Sequence, residues 1–113
     1  MIDLAPEIFR QRLVIEGIPH DTISALLISN YLKDLSVQID MVTLIEPITH
    51  RSEKFGWLGW IHWETSGAHF YAWETPILFF SVDIYTCKRF DAQIAVNFTK
   101  EFFNCNSIEY KEF

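Results

Sequence analysis

Three alternating apolar runs follow one another in the middle of the chain, and they constrain the fold more than any other feature. The runs span residues 55–63, 68–73 and 77–85. Thr65-Ser66-Gly67 and Glu74-Thr75-Pro76 separate them. Apolar residues at every second position, divided by turn-forming residues, indicate neighbouring antiparallel strands. We therefore predict a sheet built around these strands, with a glycine that lets the backbone bend in the first turn. In such a sheet Ser66 and Cys87 are expected at one end or on one face, and the sequence does not fix the register.

The segments before these runs predict a strand, a helix and a second strand. Residues 11–16 alternate in part and predict the first strand, which a glycine and a proline end. Asp21 is a suitable N-cap for a helix over residues 22–33. The apolar face of that helix would consist of Ile23, Leu26, Leu27 and Tyr31. Alternation over 37–46 predicts a half-buried strand, and the polar stretch 47–54 predicts a loop.

The segment after the apolar runs predicts a second helix and a last strand. Asp91 is a suitable cap for this helix. Its apolar face would consist of Ile94, Ala95, Phe98 and Phe102. Residues 108–113 alternate weakly and predict an edge strand. The order β-α-β-β-β-β-α-β favours a two-layer α+β sandwich, a mainly antiparallel sheet with two helices on one face. We expect one domain over residues 10–113, preceded by an N-terminal arm over residues 1–9.

The two helices cover only one face of such a sheet. Along residues 55–85 both faces carry apolar or aromatic side chains, which is more apolar surface than a monomer leaves in water. We therefore expect a second copy of the chain, in a homodimer or a higher homo-oligomer, or a buried ligand to cover the other face.

The charge balance and the cysteine count restrict the partners and the compartment. The 9 basic and 15 acidic residues give a formal charge of −6 without a basic patch, so we expect no nucleic-acid partner. No apolar run is long enough to cross a membrane, and the first residues lack the pattern of a secretory leader, so no membrane partner is expected. Two cysteines make no disulfide framework, and the four histidines lack metal-ligand spacing. We expect a cytoplasmic protein without a metal site.

Three motifs, in this order, resemble those of the bacterial and archaeal S-adenosylmethionine decarboxylases. They are Trp63-Glu64-Thr65-Ser66, Trp73-Glu74 and Val82-Asp83-Ile84-Tyr85-Thr86-Cys87. The family has a strand ending in Glu-Ser-His, then Trp-Pro-Glu, then a Val-Asp-hydrophobe-aromatic-Thr-Cys strand. Its members are small pyruvoyl enzymes of polyamine (spermidine) biosynthesis. The resemblance extends from Arg10 to the last helix, and the Val-Asp-Ile-Tyr-Thr-Cys strand is its most specific part.

The resemblance implies a proenzyme that cuts its own chain between Thr65 and Ser66. Ser66 then becomes an N-terminal pyruvoyl group, the electron sink for loss of carbon dioxide from S-adenosylmethionine or a related amino-acid substrate. In this reading Cys87 returns a proton to the product carbon. Glu74 holds the ribose hydroxyls, next to Trp73 in the substrate site. Without processing, the chain carries no cofactor.

The chain departs from the family pattern at positions that serve processing and substrate stacking. Thr65 replaces the glutamate before the cleaved bond, and Gly67 replaces the histidine after it. A processing histidine, a processing serine and the adenine-stacking phenylalanine correspond to Tyr71, Leu58 and Ser52. His69 shares a strand face with Tyr71. A bulge at Gly67 would be needed for His69 to take the place of the missing histidine.

Several interpretations therefore stay open at the level of sequence. The chain is a pyruvoyl-dependent decarboxylase, an unprocessed pseudoenzyme that binds a ligand or a partner subunit, or a cofactor-free enzyme that cleaves S-adenosylmethionine with Glu74 or Tyr71. Independently of the family, Ser66 and Gly67 also fit an ordinary hairpin turn, and Cys87 fits a small buried apolar residue.

Overall fold

The computed structural model describes residues 1–113 as six strands and two helices. In chain order they are β1 (Gln11–Ile18), α1 (Ala25–Gln38), β2 (Thr43–Ser52), β3 (Gly56–Trp63), β4 (Ser66–Trp73), β5 (Phe79–Thr86), α2 (Ala92–Phe102) and β6 (Ser107–Glu112). The element order and the α+β sandwich agree with the sequence, so the predicted fold class is confirmed. Neither helix has the length and apolar character that crossing a membrane requires.

The six strands form one antiparallel sheet in the order β2-β3-β4-β5-β1-β6. Strands β2 to β5 are neighbours in the order in which they occur in the chain. Strand β1 lies between β5 and β6, so the first and the last strand of the chain pair with each other at one side of the sheet. β6 is an edge strand, as predicted, and β2 is the other edge.

Helix α1 begins and ends later than the sequence pattern predicted. Ser24 is its N-cap, and its hydroxyl accepts a hydrogen bond from the Leu27 N–H at 3.2 Å. The Asp21 carboxylate accepts from the neighbouring N–H of Thr22 instead, so the predicted cap is wrong. The apolar face is also shifted, because Leu26 and Leu27 are exposed. The buried residues of the helix are Ile28, Tyr31, Leu32, Leu35 and Ser36.

The predicted strand over 37–46 and the predicted loop over 47–54 are both wrong. Residues 37 and 38 complete α1, and β2 spans Thr43–Ser52. Ile39 and Met41 are buried in the connection between helix and strand, which produced a false alternation. The strand tolerates Pro47 because it lies at the sheet edge and shifts its register against β3 on both sides of Ile45.

Both helices pack on the same face of the sheet, around the fully buried Tyr31. Four aromatic rings lie with their centroids 4.9 to 5.7 Å from the Tyr31 ring: Phe70, Phe98, Phe102 and Phe103. The predicted cap of α2 is confirmed, since the Asp91 carboxylate accepts from the N–H groups of Gln93 and Ile94. Ile94 itself is exposed, and Val96 and Thr99 are buried in its place.

Replacing Tyr31 by phenylalanine is expected to reduce the alkaline destabilisation of the fold. Burial raises the pKa of the Tyr31 phenol above its ordinary value of 10.0, although its hydrogen bond with Thr99 acts in the opposite direction. The folded state therefore holds this proton more tightly. The wild-type free energy of unfolding should fall by up to about 1.4 kcal/mol per pH unit above the unfolded-state pKa of about 10.

Urea unfolding of wild type and Tyr31→Phe, at neutral pH and at about pH 11, measures this difference. The exposed Tyr110 supplies the matched control, because Tyr110→Phe should lose as much stability at alkaline pH as wild type does. Equal alkaline losses in all three proteins would contradict the prediction.

Candidate active site

The sheet face opposite the helices, called the open face below, is uncovered. Side chains alternate along a strand, and directly paired residues of antiparallel strands share a face. The register therefore brings the following side chains of β3, β4 and β5 to the open face: Leu58, Trp60, His62, His69, Tyr71, Trp73, Phe79, Ser81, Asp83 and Tyr85. The histidines and Asp83 lie toward the Ser66 end of β4. The Trp73 end is mainly aromatic.

Ser66 is the first residue of β4, directly after a two-residue connection from β3. It pairs with Trp63 on one side and with Thr86 on the other. Its φ angle is +132°, a value that side-chain-bearing residues rarely adopt. The predicted bend at Gly67 is therefore wrong in position, because the unusual backbone angle belongs to Ser66 itself. Such an angle costs on the order of 1–3 kcal/mol and is typical of functional sites.

The peptide bond between Thr65 and Ser66 is held from the neighbouring strand. The backbone N–H of Cys87 donates to the Thr65 carbonyl oxygen at 2.9 Å. The Thr86 hydroxyl donates to the Thr65 hydroxyl at 2.9 Å and accepts from the Lys88 N–H at 3.0 Å. Ser66 and Cys87 thus lie at the same end of the sheet, as predicted. Cys87 is exposed, so its interpretation as a buried apolar residue is wrong.

A cavity of about 350 Å³ opens on the open face beside Ser66 and Gly67. Its other lining residues are Arg12, Trp60, Ile61, His62, Ala68, His69, Asp83 and Tyr85. Arg12 and Asp83 form a two-point ion pair, with Nε–Oδ1 at 3.0 Å and Nη2–Oδ2 at 2.7 Å. The hydrogen bond to Asp83 raises the pKa of the Arg12 guanidinium. The cavity therefore contains a fixed cation and anion on one wall. No group of three metal-ligating side chains forms anywhere in the chain.

His62 is a site residue that the sequence favoured as an ordinary, partly buried side chain, and the structure leaves it exposed. It pairs directly with Gly67, and its Nδ1 lies 2.9 Å from the carbonyl oxygen of Ser66. The signal was present in the turn length. A two-residue connection at positions 64 and 65 pairs residue 62 with residue 67, whereas the predicted turn at 65–67 gave a different register.

His69 and Tyr71 lie on the open face, with ring centroids 6.4 Å apart. The pairing of β4 with both neighbours is continuous, so the bulge at Gly67 that would shift His69 is absent. Tyr71 follows Ser66 by five residues, or about 16 Å along the strand. Within one chain Tyr71 therefore does not reach the bond between Thr65 and Ser66.

Glu74 and Trp73 lie at the opposite end of β4 from Ser66. At about 3.3 Å per residue, Glu74 is about 26 Å along the chain direction from Ser66. The Glu74 carboxylate pairs with Arg51 at 2.9 Å, and its backbone N–H donates to the Phe55 carbonyl at 2.7 Å. The Trp73 ring packs against the rings of Tyr71 and Phe79. A single chain does not bring this carboxylate to Ser66.

The positions with family roles thus divide into two groups at opposite ends of β4. The cleavage-end group consists of Thr65, Ser66 and Cys87. The far-end group consists of Ser52, Leu58, Tyr71, Trp73 and Glu74. Within the far-end group, Leu58 pairs directly with Tyr71, and Ser52 pairs with Gly56 at the start of β3.

Comparison with known proteins agrees with this architecture. The crystal structure of the adenosylmethionine decarboxylase from Aquifex aeolicus VF5 has a similar fold, with a TM-score of 0.75 and 17% sequence identity. The similarity covers 94% of this chain and 89% of that chain. No curated protein sequence matches the chain.

The sandwich is thus of the kind that an adenosylmethionine decarboxylase adopts. The family model described as S-adenosylmethionine decarboxylase matches residues 15–113, which is most of the chain. The chain belongs to the S-adenosylmethionine decarboxylase family.

Proposed function

We propose that the chain cleaves itself between Thr65 and Ser66 and then acts as a pyruvoyl-dependent decarboxylase on S-adenosylmethionine or a related amino-acid substrate. The observation that supports this most is the hydrogen bond of 2.9 Å from the Cys87 N–H to the Thr65 carbonyl oxygen. Attack of the Ser66 hydroxyl on that carbonyl carbon puts negative charge on this oxygen. A fixed N–H donor at this distance stabilises such a charge.

The cleavage begins with an acyl shift. The Ser66 hydroxyl oxygen bonds to the Thr65 carbonyl carbon, the peptide C–N bond breaks, and the hydroxyl proton passes to the released amine. The Ser66 φ of +132° favours this shift, because backbone strain on the order of 1–3 kcal/mol is relieved when the peptide bond opens. The pairing of the Thr65 and Thr86 hydroxyls keeps the carbonyl oriented toward the Cys87 N–H.

The surroundings of Ser66 fit a pyruvoyl group at this position. Ser66 begins a strand, so cleavage before it interrupts no strand, and Gly67 stays paired with His62 and Tyr85. The bound group would supply an electron sink for decarboxylation. The Arg12–Asp83 ion pair on the cavity wall would orient a substrate that carries both charges. The exposed Cys87 thiol would donate the proton to the product carbon.

We infer that a second copy of the chain completes the site in a homodimer. The open face carries a large aromatic surface, which a second sheet would bury. The cleavage-end group and the far-end group lie at opposite ends of β4. If two open faces pack with a two-fold axis perpendicular to β4, the far-end group of one protomer meets the cleavage-end group of the other. Glu74 and Tyr71 would then lie against the partner's cavity beside Ser66.

The second candidate is an unprocessed family member that binds a ligand or a partner subunit. The pairing of Leu58 with Tyr71 favours it, because the far-end group then lacks both the serine and the histidine that assist processing in the family. A third candidate keeps S-adenosylmethionine as substrate and cleaves it without a cofactor, through Glu74 or Tyr71. Mass spectrometry of the reaction products separates this third function from decarboxylation.

The intact mass of the purified protein tests self-cleavage. We expect two fragments that divide between Thr65 and Ser66, with the C-terminal fragment lighter by one ammonia than a fragment with an N-terminal serine. Ser66→Ala should stay a single chain, and Ser107→Ala, at the exposed start of the edge strand β6, should cleave like wild type. A wild-type protein that remains intact after prolonged incubation would overturn the proposal and favour the unprocessed form.

A further inference from the structure

The ring of His62, which is exposed on the open face, lies against the carbonyl oxygen of Ser66. Its Nδ1 lies 2.9 Å from that oxygen. A carbonyl oxygen only accepts hydrogen bonds, so Nδ1 carries the hydrogen and donates it. His62 therefore directs an N–H donor at the carbonyl oxygen of Ser66. It lies on β3, whereas the Cys87 N–H, which donates to the Thr65 carbonyl oxygen, follows β5 on the other side of β4.

The neighbouring residues hold this arrangement. Gly67 lies directly across from His62, and a Cβ at Gly67 would overlap the backbone carbonyl oxygen of Ile61. The absence of that Cβ lets β3 and β4 approach closely at this pair. The Trp60 ring meets the imidazole edge to face, with the centroids 5.8 Å apart and an interplanar angle of 89°. His62 also lines the cavity beside Ser66.

We propose that His62 is a catalytic residue of maturation, which stabilises the negative charge on the Ser66 carbonyl oxygen during elimination. This inference rests on the proposed self-cleavage. In the ester that the acyl shift forms, water removes the Cα proton of Ser66, the Cα=Cβ bond forms, the Cβ–O bond breaks, and Thr65 leaves as a carboxylate. In the transition state the charge from the Cα–H bond extends onto the Ser66 carbonyl oxygen, as in an enolate. The His62 Nδ1–H is directed at this oxygen. The enamine that results takes up a proton at Cβ and becomes an imine. A second water then adds at Cα and ammonia leaves, which gives the ketone of the pyruvoyl group.

Two substitutions at His62 separate a donor role from a packing role. His62→Leu removes the donor and should slow formation of the pyruvoyl fragment about 10²- to 10³-fold, the usual effect of losing one such donor. His62→Asn carries an amide N–H near the position of Nδ1 and should stay within about tenfold of wild type. His20→Leu changes an exposed histidine outside the site and should mature at the wild-type rate.

The ester that accumulates in His62→Leu provides the specific readout. Hydroxylamine cleaves esters, so the treated variant should release a C-terminal fragment with an intact N-terminal serine, heavier by one ammonia than the pyruvoyl fragment. Mass spectrometry distinguishes the two fragments. A wild-type rate for His62→Leu would overturn the role of His62. Equal slowing of both His62 variants without a trapped ester would do the same.

A semisynthetic full chain with the ester already in place between Thr65 and the Ser66 hydroxyl separates this inference from the proposed function. A shift from acidic to neutral pH lets the ester either eliminate or return to the peptide. If the natural chain stays intact but the ester eliminates with His62 and returns to the peptide with His62→Leu, self-cleavage fails and the role of His62 stands. If the ester partitions equally in both chains, the role of His62 fails.

Discussion

An equal mixture of the inactive variants Ser66→Ala and Glu74→Gln, co-expressed, is expected to recover about a quarter of the wild-type decarboxylase activity. In the proposed dimer each site takes Ser66 from one protomer and Glu74 from the other. A mixed dimer then contains one site with both residues intact and one site with neither. Random pairing makes about half of the dimers mixed, each with one of two sites active.

Release of labelled carbon dioxide from carboxyl-labelled S-adenosylmethionine measures this recovery. Each variant expressed alone is the control and should be inactive, Ser66→Ala because it forms no pyruvoyl group and Glu74→Gln because it binds substrate poorly. Different affinity tags on the two variants allow the mixed dimer to be purified. If that dimer is inactive while wild type is active, Ser66 and Glu74 do not meet across the interface.

The sheet was predictable because its strongest signals are local. Alternation of large apolar residues over residues 55–85 predicted three strands in sequence order, and the structure has β3, β4 and β5 there. Asp91 predicted the start of α2 for the same reason, since a cap acts on the next few N–H groups. The position of β1 between β5 and β6 depends on contacts between distant parts of the chain, which no local pattern encodes.

Errors around α1 and β2 arose where burial and local pattern disagree. Ile39 and Met41 are spaced like residues of a strand, yet they are buried in a connection. Leu26 and Leu27 match a helix face, yet they are exposed. The face that packs on the sheet begins at Ile28 and continues through Leu32 and Leu35. An edge strand with a proline and two register shifts also lacks the clean alternation that identifies a strand.

The candidate site was predictable at its cleavage end only. Thr65, Ser66 and Cys87 lie together because adjacent strands β4 and β5 bring the start of one to the end of the other. Matching Glu74 and Tyr71 to family positions gave no information on which protomer supplies them. Only the length of β4 shows that one chain cannot join the two groups. His62 was missed because its relevance depends on the register of the β3–β4 pair.

Gly67→Ala is expected to lower the free energy of unfolding by about 1–3 kcal/mol and to slow cleavage at Ser66 roughly a hundredfold. The added Cβ would overlap the backbone carbonyl oxygen of Ile61, and no change of rotamer relieves an overlap with backbone. Strands β3 and β4 must therefore separate at the His62–Gly67 pair. That movement withdraws His62 from the Ser66 carbonyl oxygen, now 2.9 Å away. For the same reason, Gly67→His, which restores the family histidine after the cleaved bond, should impair maturation instead of improving it.

Gly59→Ala is the matched control for this prediction. Gly59 lies on the same strand as His62, but a Cβ there would meet the Ile28 side chain at 2.7 Å and the Ile48 carbonyl oxygen at 3.2 Å, away from Ser66. It should lose stability by a similar amount and still cleave at the wild-type rate at a temperature where all variants are folded. Urea unfolding gives the stabilities, and intact mass against time gives the cleavage rates. If Gly67→Ala and Gly59→Ala cleave at the same rate, the lost stability alone explains both variants. Close contact at the His62–Gly67 pair is then not required for maturation.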